Sequence, residues 1–255
     1  MSAEAAELYL LAVINRHRAC PDDGRPERLR RQIKGVLRHW ALGGYVESVT
    51  LSGSHSKSTA LRDSDVDFFL SLSPDTPGPL AAIHTSLADH FRDYLPRPRN
   101  VSLRIQMDGS SVDLVPGRRR EGSTHHTLWQ QRYDTWLQTD IGEQIRHVES
   151  AGLTTEMLAL KLWRRRRVLR FPSFLLELSV IRALSRSQGS GADGRISESL
   201  LKVFQFLKDN FPSTRLLDPA NSNNAVSDAL TPEDKLRIAT AADMSLRAES
   251  WTEII

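Results

Sequence analysis

The sequence predicts an α+β fold, with a sheet-bearing lobe over residues 1–120 and a helical lobe over residues 121–255. Three observations lead there. Apolar residues recur at helical spacing near the N-terminus, β-rich or alternating runs gather between residues 46 and 115, and from about residue 123 onward the patterns read as helical. A chain of 255 residues has ample length for a sizeable core in such an arrangement.

Taken in order, residues 4–18 form an amphipathic helix carrying Leu8, Leu11, Ala12 and Ile14. Pro26 in a first turn opens a second helix, with Leu29, Ile33, Val36 and Trp40, stopping at Gly43-Gly44. Val46–Leu51 is β-rich and runs into Ser52-Gly53-Ser54. Val66–Leu72 is a second strand, ended by the Pro/Gly-rich stretch 73–79, and a helix covers about 80–94. Val101, Leu103, Ile105 and Met107 then alternate with polar residues. Asp108-Gly109 follows, and Val112-Asp113-Leu114-Val115 resumes the pattern. Asp-Gly between alternating runs is a strong hairpin signal, so Asp113 pairs back on 101–107, with Pro116-Gly117 ending its strand. Helical patterns then meet a boundary at Phe171-Pro172-Ser173, a Gly/Ser loop at 187–194 and an Asn-rich loop from Asp218 to Asp228. A final helix covers about 232–248.

Composition narrows the class. Hydrophobic residues at 40% and charged residues at 25% are ordinary for a globular protein and argue against disorder. Cys20 is the only cysteine, so neither an intrachain disulfide nor a cysteine-built zinc site can form. An acidic N-terminus without an apolar stretch argues against a signal peptide, and no run reaches a membrane-spanning length. The expectation is a soluble, cytoplasmic protein with no membrane partner. Its net charge is only +3, but Arg118–Arg120 and Arg164–Arg167 with Arg170 are dense basic clusters of the kind that attract phosphate.

The chemistry concentrates in three aspartates. Asp65 and Asp67 stand two apart on a strand, so their carboxylates share a face while Val66 and Phe68 turn to the core. Like charges so placed repel unless a cation neutralises them, and hard oxygen donors suit Mg²⁺ or Mn²⁺. With Asp113 on a nearby strand, the set would hold two such ions roughly 3.5–4 Å apart. Gly53 and Ser54, in the turn after the first strand, let backbone amides and a hydroxyl approach a phosphate. Asp63 precedes the alternation and reads as a turn residue, while His125-His126 has no partner at metal-ligand spacing.

Leu51-Ser52-Gly53-Ser54, the spacer, Asp65-Val66-Asp67 and Val112-Asp113-Leu114 together resemble the polymerase-β-like nucleotidyltransferase superfamily. Thr139-Asp140, Leu160-Lys161-Leu162-Trp163, Phe171–Glu177 and the segments Leu217–Ala220 and Asn223–Val226 extend the likeness. These later pieces are similar to parts of oligoadenylate synthetases, bacterial CD-NTases and archaeal CCA-adding enzymes. The resemblance implies a nucleotidyltransferase lobe with a mixed sheet flanked by helices, the N-terminal helix packing on the C-terminal lobe, and a helical lobe closing the nucleotide cleft. By carry-over, Lys161 contacts the β/γ phosphates and Ser173 adds a hydroxyl. The implied reaction is metal-dependent transfer of NMP from NTP to a hydroxyl with loss of pyrophosphate, giving a cyclic or short linear oligonucleotide signal. The alternatives are an RNA or tRNA 3′-end transferase, nucleotidylation of a protein or small molecule, and a catalytically dead scaffold. RNA as acceptor or activator, and the oligomeric state, stay open. Archaeal CCA-adding enzymes carry long C-terminal RNA-binding parts, and an end at Ile255 is expected to weigh against the full tRNA role.

Overall fold

Local signals start the helices. Ser2 accepts a hydrogen bond from the Ala5 amide at the head of α1 (Ala3–His17), and Pro26 lies in the first turn of α2 (Arg25–Leu37). The structure, a computed structural model, describes residues 2–20, 24–185 and 195–255; the Gly/Ser loop expected at 187–194 lies outside them. After α2 come β1 (Val46–Ser52), the one-turn helix α3 (Gly53–Ser56), β2 (Val66–Leu72) and α4 (Leu80–His90). Then follow β3 (Arg97–Pro98), β4 (Leu103–Met107), β5 (Ser110–Arg119), β6 (His126–Gln130) and β7 (Thr135–Thr139). Next are α5 (Ile141–Ser150), α6 (Thr154–Arg166), α7 (Ser173–Ser185), α8 (Ile196–Asp209) and the short pair β8 (Leu217–Asp218) and β9 (Asn221–Ala225). The chain closes with α9 (Pro232–Leu246) and α10 (Trp251–Ile254).

The chain divides into two units. One comprises Cys20–Ser58 and Asp63–Ile145; the other comprises Met1–Ala19, Thr59–Arg62 and Arg146–Ile255. The first holds a mixed seven-stranded sheet in the order β1-β2-β5-β4-β3, with β6 joining β5 and β7 joining β6. Only β2 and β5 run parallel; the other pairs are antiparallel. Alternation along the strands sends Val66, Phe68, Leu70, Leu103, Ile105, Val112 and Leu114 to one face. There they pack with Leu29 and Ile33 of α2 and Ile83 and Leu87 of α4.

Three expectations change here. Pro116-Gly117 does not end its strand, because β5 continues to Arg119. Residues Ser110–Leu114 pair with β4 and residues Gly117–Arg119 with β6, so Pro116 sits where the antiparallel partner changes. Gly117 lets Phe69 and Leu128 close in: a Cβ there would lie 2.5 Å from the Phe69 ring. Residues 126–139, expected to be helical, form the β6–β7 hairpin, its turn closed by Asp134 in the left-handed region at φ 49°. The Asn-rich stretch, expected as an ordered or semi-ordered loop, is built in part as the β8–β9 ladder.

The second unit is helical. Ala6, Leu10 and Ile14 of α1 share its core with Leu158 and Trp163 of α6, Leu175 and Leu176 of α7, Phe204 of α8 and Ile238 of α9. Glu7 accepts from the Ile196 and Ser197 amides at the start of α8, an anion where the helix dipole favours one. The segment Thr59–Arg62, a polar spacer by sequence, belongs to this core through Leu61 and bonds to it through the Ala19 amide on the Ala60 carbonyl.

Candidate active site

One row of side chains crosses the sheet. Parallel pairing sets Asp67 of β2 against Asp113 of β5. Antiparallel pairing sets Ser52 against Asp67, Arg104 against Asp113, and Arg97 against Arg104. Directly paired residues share a sheet face, so Ser52, Asp67, Asp113, Arg104 and Arg97 line up opposite the apolar core. Asp65 lies one residue before β2, not on it, yet its carboxylate reaches the same cluster.

Arg104 ties the outer carboxylates together. Its Nε donates to Asp113 Oδ1 at 2.9 Å and its Nη2 to Asp113 Oδ2 at 2.8 Å; the same Nη2 also donates to Asp65 Oδ2. This fork-on-carboxylate geometry is the strong form of the pairing, and the bond to Asp113 holds Arg104 above its ordinary pKa. Asp67 fares differently. Burial, then the Asp113 and Asp65 charges, push its pKa up to about 7 against the pull of Lys57 and Arg104. The cluster is short of positive charge at Asp67.

Gly53 presses on that same group. At φ +63° it occupies the left-handed region, and a Cβ on it would lie 1.9 Å from Asp67 Oδ2. The turn after β1 therefore needs glycine twice over, for its backbone and for the carboxylate beside it. Ser54 follows within α3, and Ser56 closes the turn by donating to the Gly53 carbonyl at 3.0 Å.

Three carboxylates are hard oxygen donors, and a carboxyl raised by burial and by its neighbours' charge marks a place where an added cation would be stabilised. In donor type, though not in the arrangement they have here, the three carboxylates suit a divalent ion. Among the described residues no three His, Cys, Asp or Glu side chains gather around one point as they stand; Asp65 and Asp113 are held on the guanidinium fork instead.

Residues 29–116 match the family model described as the nucleotidyltransferase domain, a span that includes Gly53 and all three aspartates. The chain carries a nucleotidyltransferase domain. Among solved structures, the chain is similar to CdnC of E. coli MS115-1 in its HORMA-deltaN complex. The TM-score is 0.72 at 22% identity, covering 96% of this chain and 91% of that one. It is similar to the cyclic dinucleotide synthase CdnE of Elizabethkingia meningoseptica, solved with GTP and Apcpp. There the TM-score is 0.69 at 15% identity, over 92% and 96% of the two chains. It is also similar to the Cid1 poly(U) polymerase, with a TM-score of 0.68 at 13% identity, over 98% and 96%. No curated protein matches. At these identities the solved structures establish a shared fold: the chain is folded as polymerase-β-like nucleotidyltransferases are.

The remaining expected residues lie in the helical unit. Lys161, expected at a phosphate, is buried and donates to the Thr59 carbonyl at 2.8 Å, Thr59 Oγ1 at 2.9 Å and Glu177 Oε1 at 2.7 Å. Ser173 begins α7 and accepts from Arg164 Nη1 at 3.0 Å, an arginine that also donates to the Phe171 carbonyl. The basic clusters are largely engaged: Arg119 pairs with Glu47, Arg120 with Gln138, and Arg170 with Asp234. His126 bonds Ser71 and stacks edge-on against Phe69.

Arg104 was not among the residues the sequence singled out. The signal was present. A hairpin turning at Asp108-Gly109 pairs Arg104 with Asp113, and an arginine facing a carboxylate across a ladder is a cross-strand ion pair.

Proposed function

We propose that Asp65, Asp67 and Asp113 are the catalytic and metal-binding carboxylates of this nucleotidyltransferase. On this reading the enzyme joins nucleotides from NTPs into a cyclic or short linear oligonucleotide signal. The observation that carries the site is the in-register pairing of Asp67 with Asp113, beside Gly53 pressed against Asp67. Mg²⁺ or Mn²⁺, as two ions, would be held by these three carboxylates and supply acidification of the attacking hydroxyl and neutralisation of the leaving pyrophosphate.

The chain's own groups divide the work. Asp113 takes the proton of the acceptor hydroxyl as its oxygen bonds to the α-phosphorus and the bond to pyrophosphate breaks. Asp65 and Asp67 fix the reacting groups on the open face of the sheet, where orientation alone contributes much of the rate. Gly53 and Ser54 offer backbone amides and a hydroxyl to the triphosphate. Lys161 and Ser173 are assigned to that triphosphate by resemblance alone. The bonds of Lys161 to Thr59 and Glu177 favour a structural role for it, while Ser173 already accepts from Arg164.

Support for the signal product comes from the likeness to CdnC and CdnE over more than nine-tenths of each chain. Similarity to the Cid1 poly(U) polymerase supports a second reading, transfer to an RNA 3′ end. Incubation with the four NTPs and Mg²⁺, without RNA, separates them. A phosphatase-resistant product identified by mass spectrometry supports the first reading. Labelling of added RNA with no such product supports the second.

A further inference from the structure

Arg104 satisfies a need that the proposed reaction assigns to metal. It stands on β4 between Leu103 and Ile105, both fully buried, so its strand position is fixed by the core. The register places it directly opposite Asp113, and its fork engages both oxygens of Asp113 and one of Asp65. Those are the lone pairs a divalent ion would take. A guanidinium and a divalent ion compete for them, because both are cations drawn to the same oxygens and repel each other at contact distance.

We infer that Arg104 is a resident counter-cation, holding Asp65 and Asp113 in the metal-free protein and leaving them when a divalent ion binds. Arg104 is then a positioning residue, not a metal ligand, and its release is a step coupled to metal loading. The inference rests on the metal-binding reading of the aspartates given above. Its direct consequence is thermodynamic. A site that is competent only when the arginine has left binds metal more weakly, by the fraction of time it is free. Once the arginine is removed, metal no longer competes with it.

The test is Mn²⁺ binding to the nucleotide-free protein, followed by electron paramagnetic resonance of the free ion. Arg104→Gln is expected to bind Mn²⁺ about tenfold more tightly than wild type, within the usual range of site-to-site coupling. Arg104→Lys keeps the charge but loses the fork, and is expected to tighten binding by a smaller factor; it also serves if Arg104→Gln does not fold. Thermal unfolding in EDTA should show the Gln variant less stable than wild type and recovering more of its melting temperature on Mn²⁺ addition. Unchanged or weaker Mn²⁺ binding in both arginine variants would overturn the inference, leaving Arg104 as a fixed organiser of the metal-loaded site. Asp67→Asn and Asp113→Asn keep the two levels apart. If they bind Mn²⁺ as wild type does, the metal-site reading itself fails.

Discussion

A cluster of opposite charges in the helical unit and one in the sheet unit are balanced differently. In the helical unit, Lys161 and Glu177 form a buried pair at 2.7 Å, completed by Thr59. Lys161 meets Glu177 directly, Thr59 adds hydrogen bonds, and the Arg164 charge also acts on Glu177. In the sheet unit, three carboxylates face Arg104 and Lys57, and Asp67 is left with its pKa raised to about 7. The first arrangement is closed, the second open. A charge deficit that folding leaves uncorrected points to a group supplied from outside, whereas a satisfied pair points to structure.

The open cluster should respond most strongly to loss of its carboxylates. Asp67→Asn and Asp113→Asn are each expected to lower nucleotidyl transfer by roughly a thousandfold, the scale of metal-borne charge stabilisation, without unfolding the protein. Pyrophosphate release checks the rate, and circular dichroism checks the fold.

The closed cluster should respond in stability. Lys161→Met strands Glu177 in the core and is expected to cost about 3–5 kcal/mol, whereas pairing it with Glu177→Leu should recover much of the loss. Denaturant unfolding measures both. If Lys161→Met instead left stability intact and raised KM for NTP, the phosphate role would be the correct one.

Acidity sharpens the contrast. The folded-state pKa of Asp67 lies above its unfolded value of 3.8, so the native state binds this proton more tightly. The stability it contributes is present at low pH and is lost as pH rises from about 4 to about 7, with an upper bound of about 4 kcal/mol. In EDTA, unfolding scans should show wild type losing stability across that window. Asp67→Asn should be flatter and the more stable of the two at pH 8.

Gly53→Ala has a smaller expected effect. Its Cβ would displace the Asp67 carboxylate, and a misplacement of this size is expected to cost activity roughly a hundredfold. The change in melting temperature should be modest by comparison.

Much of this site was legible in the sequence because its signals are local. The Asp108-Gly109 turn places β5 beside β4, and the Gly-Ser turn follows its strand directly. Asp65 missed the strand by one residue, the ordinary uncertainty of an element's end. Arg104 could have been read from the hairpin register but requires counting across the turn. The β6–β7 hairpin was hidden because Trp129, Trp136 and their polar neighbours alternate over only five residues in each strand, too few to outweigh a helical pattern. The fate of Lys161 was not readable. Its partners lie 16 and 102 residues away, and only the folded chain brings them to it.

Nucleotidyl transfer by the open cluster can be measured directly. Purified protein with the four NTPs, each labelled at the α-phosphate, and Mg²⁺ tests it in parallel for wild type, Asp67→Asn and Asp113→Asn. Wild type is expected to give an α-labelled, phosphatase-resistant product with matching pyrophosphate release, and the two variants neither. Equal product from all three proteins would contradict transfer by this cluster.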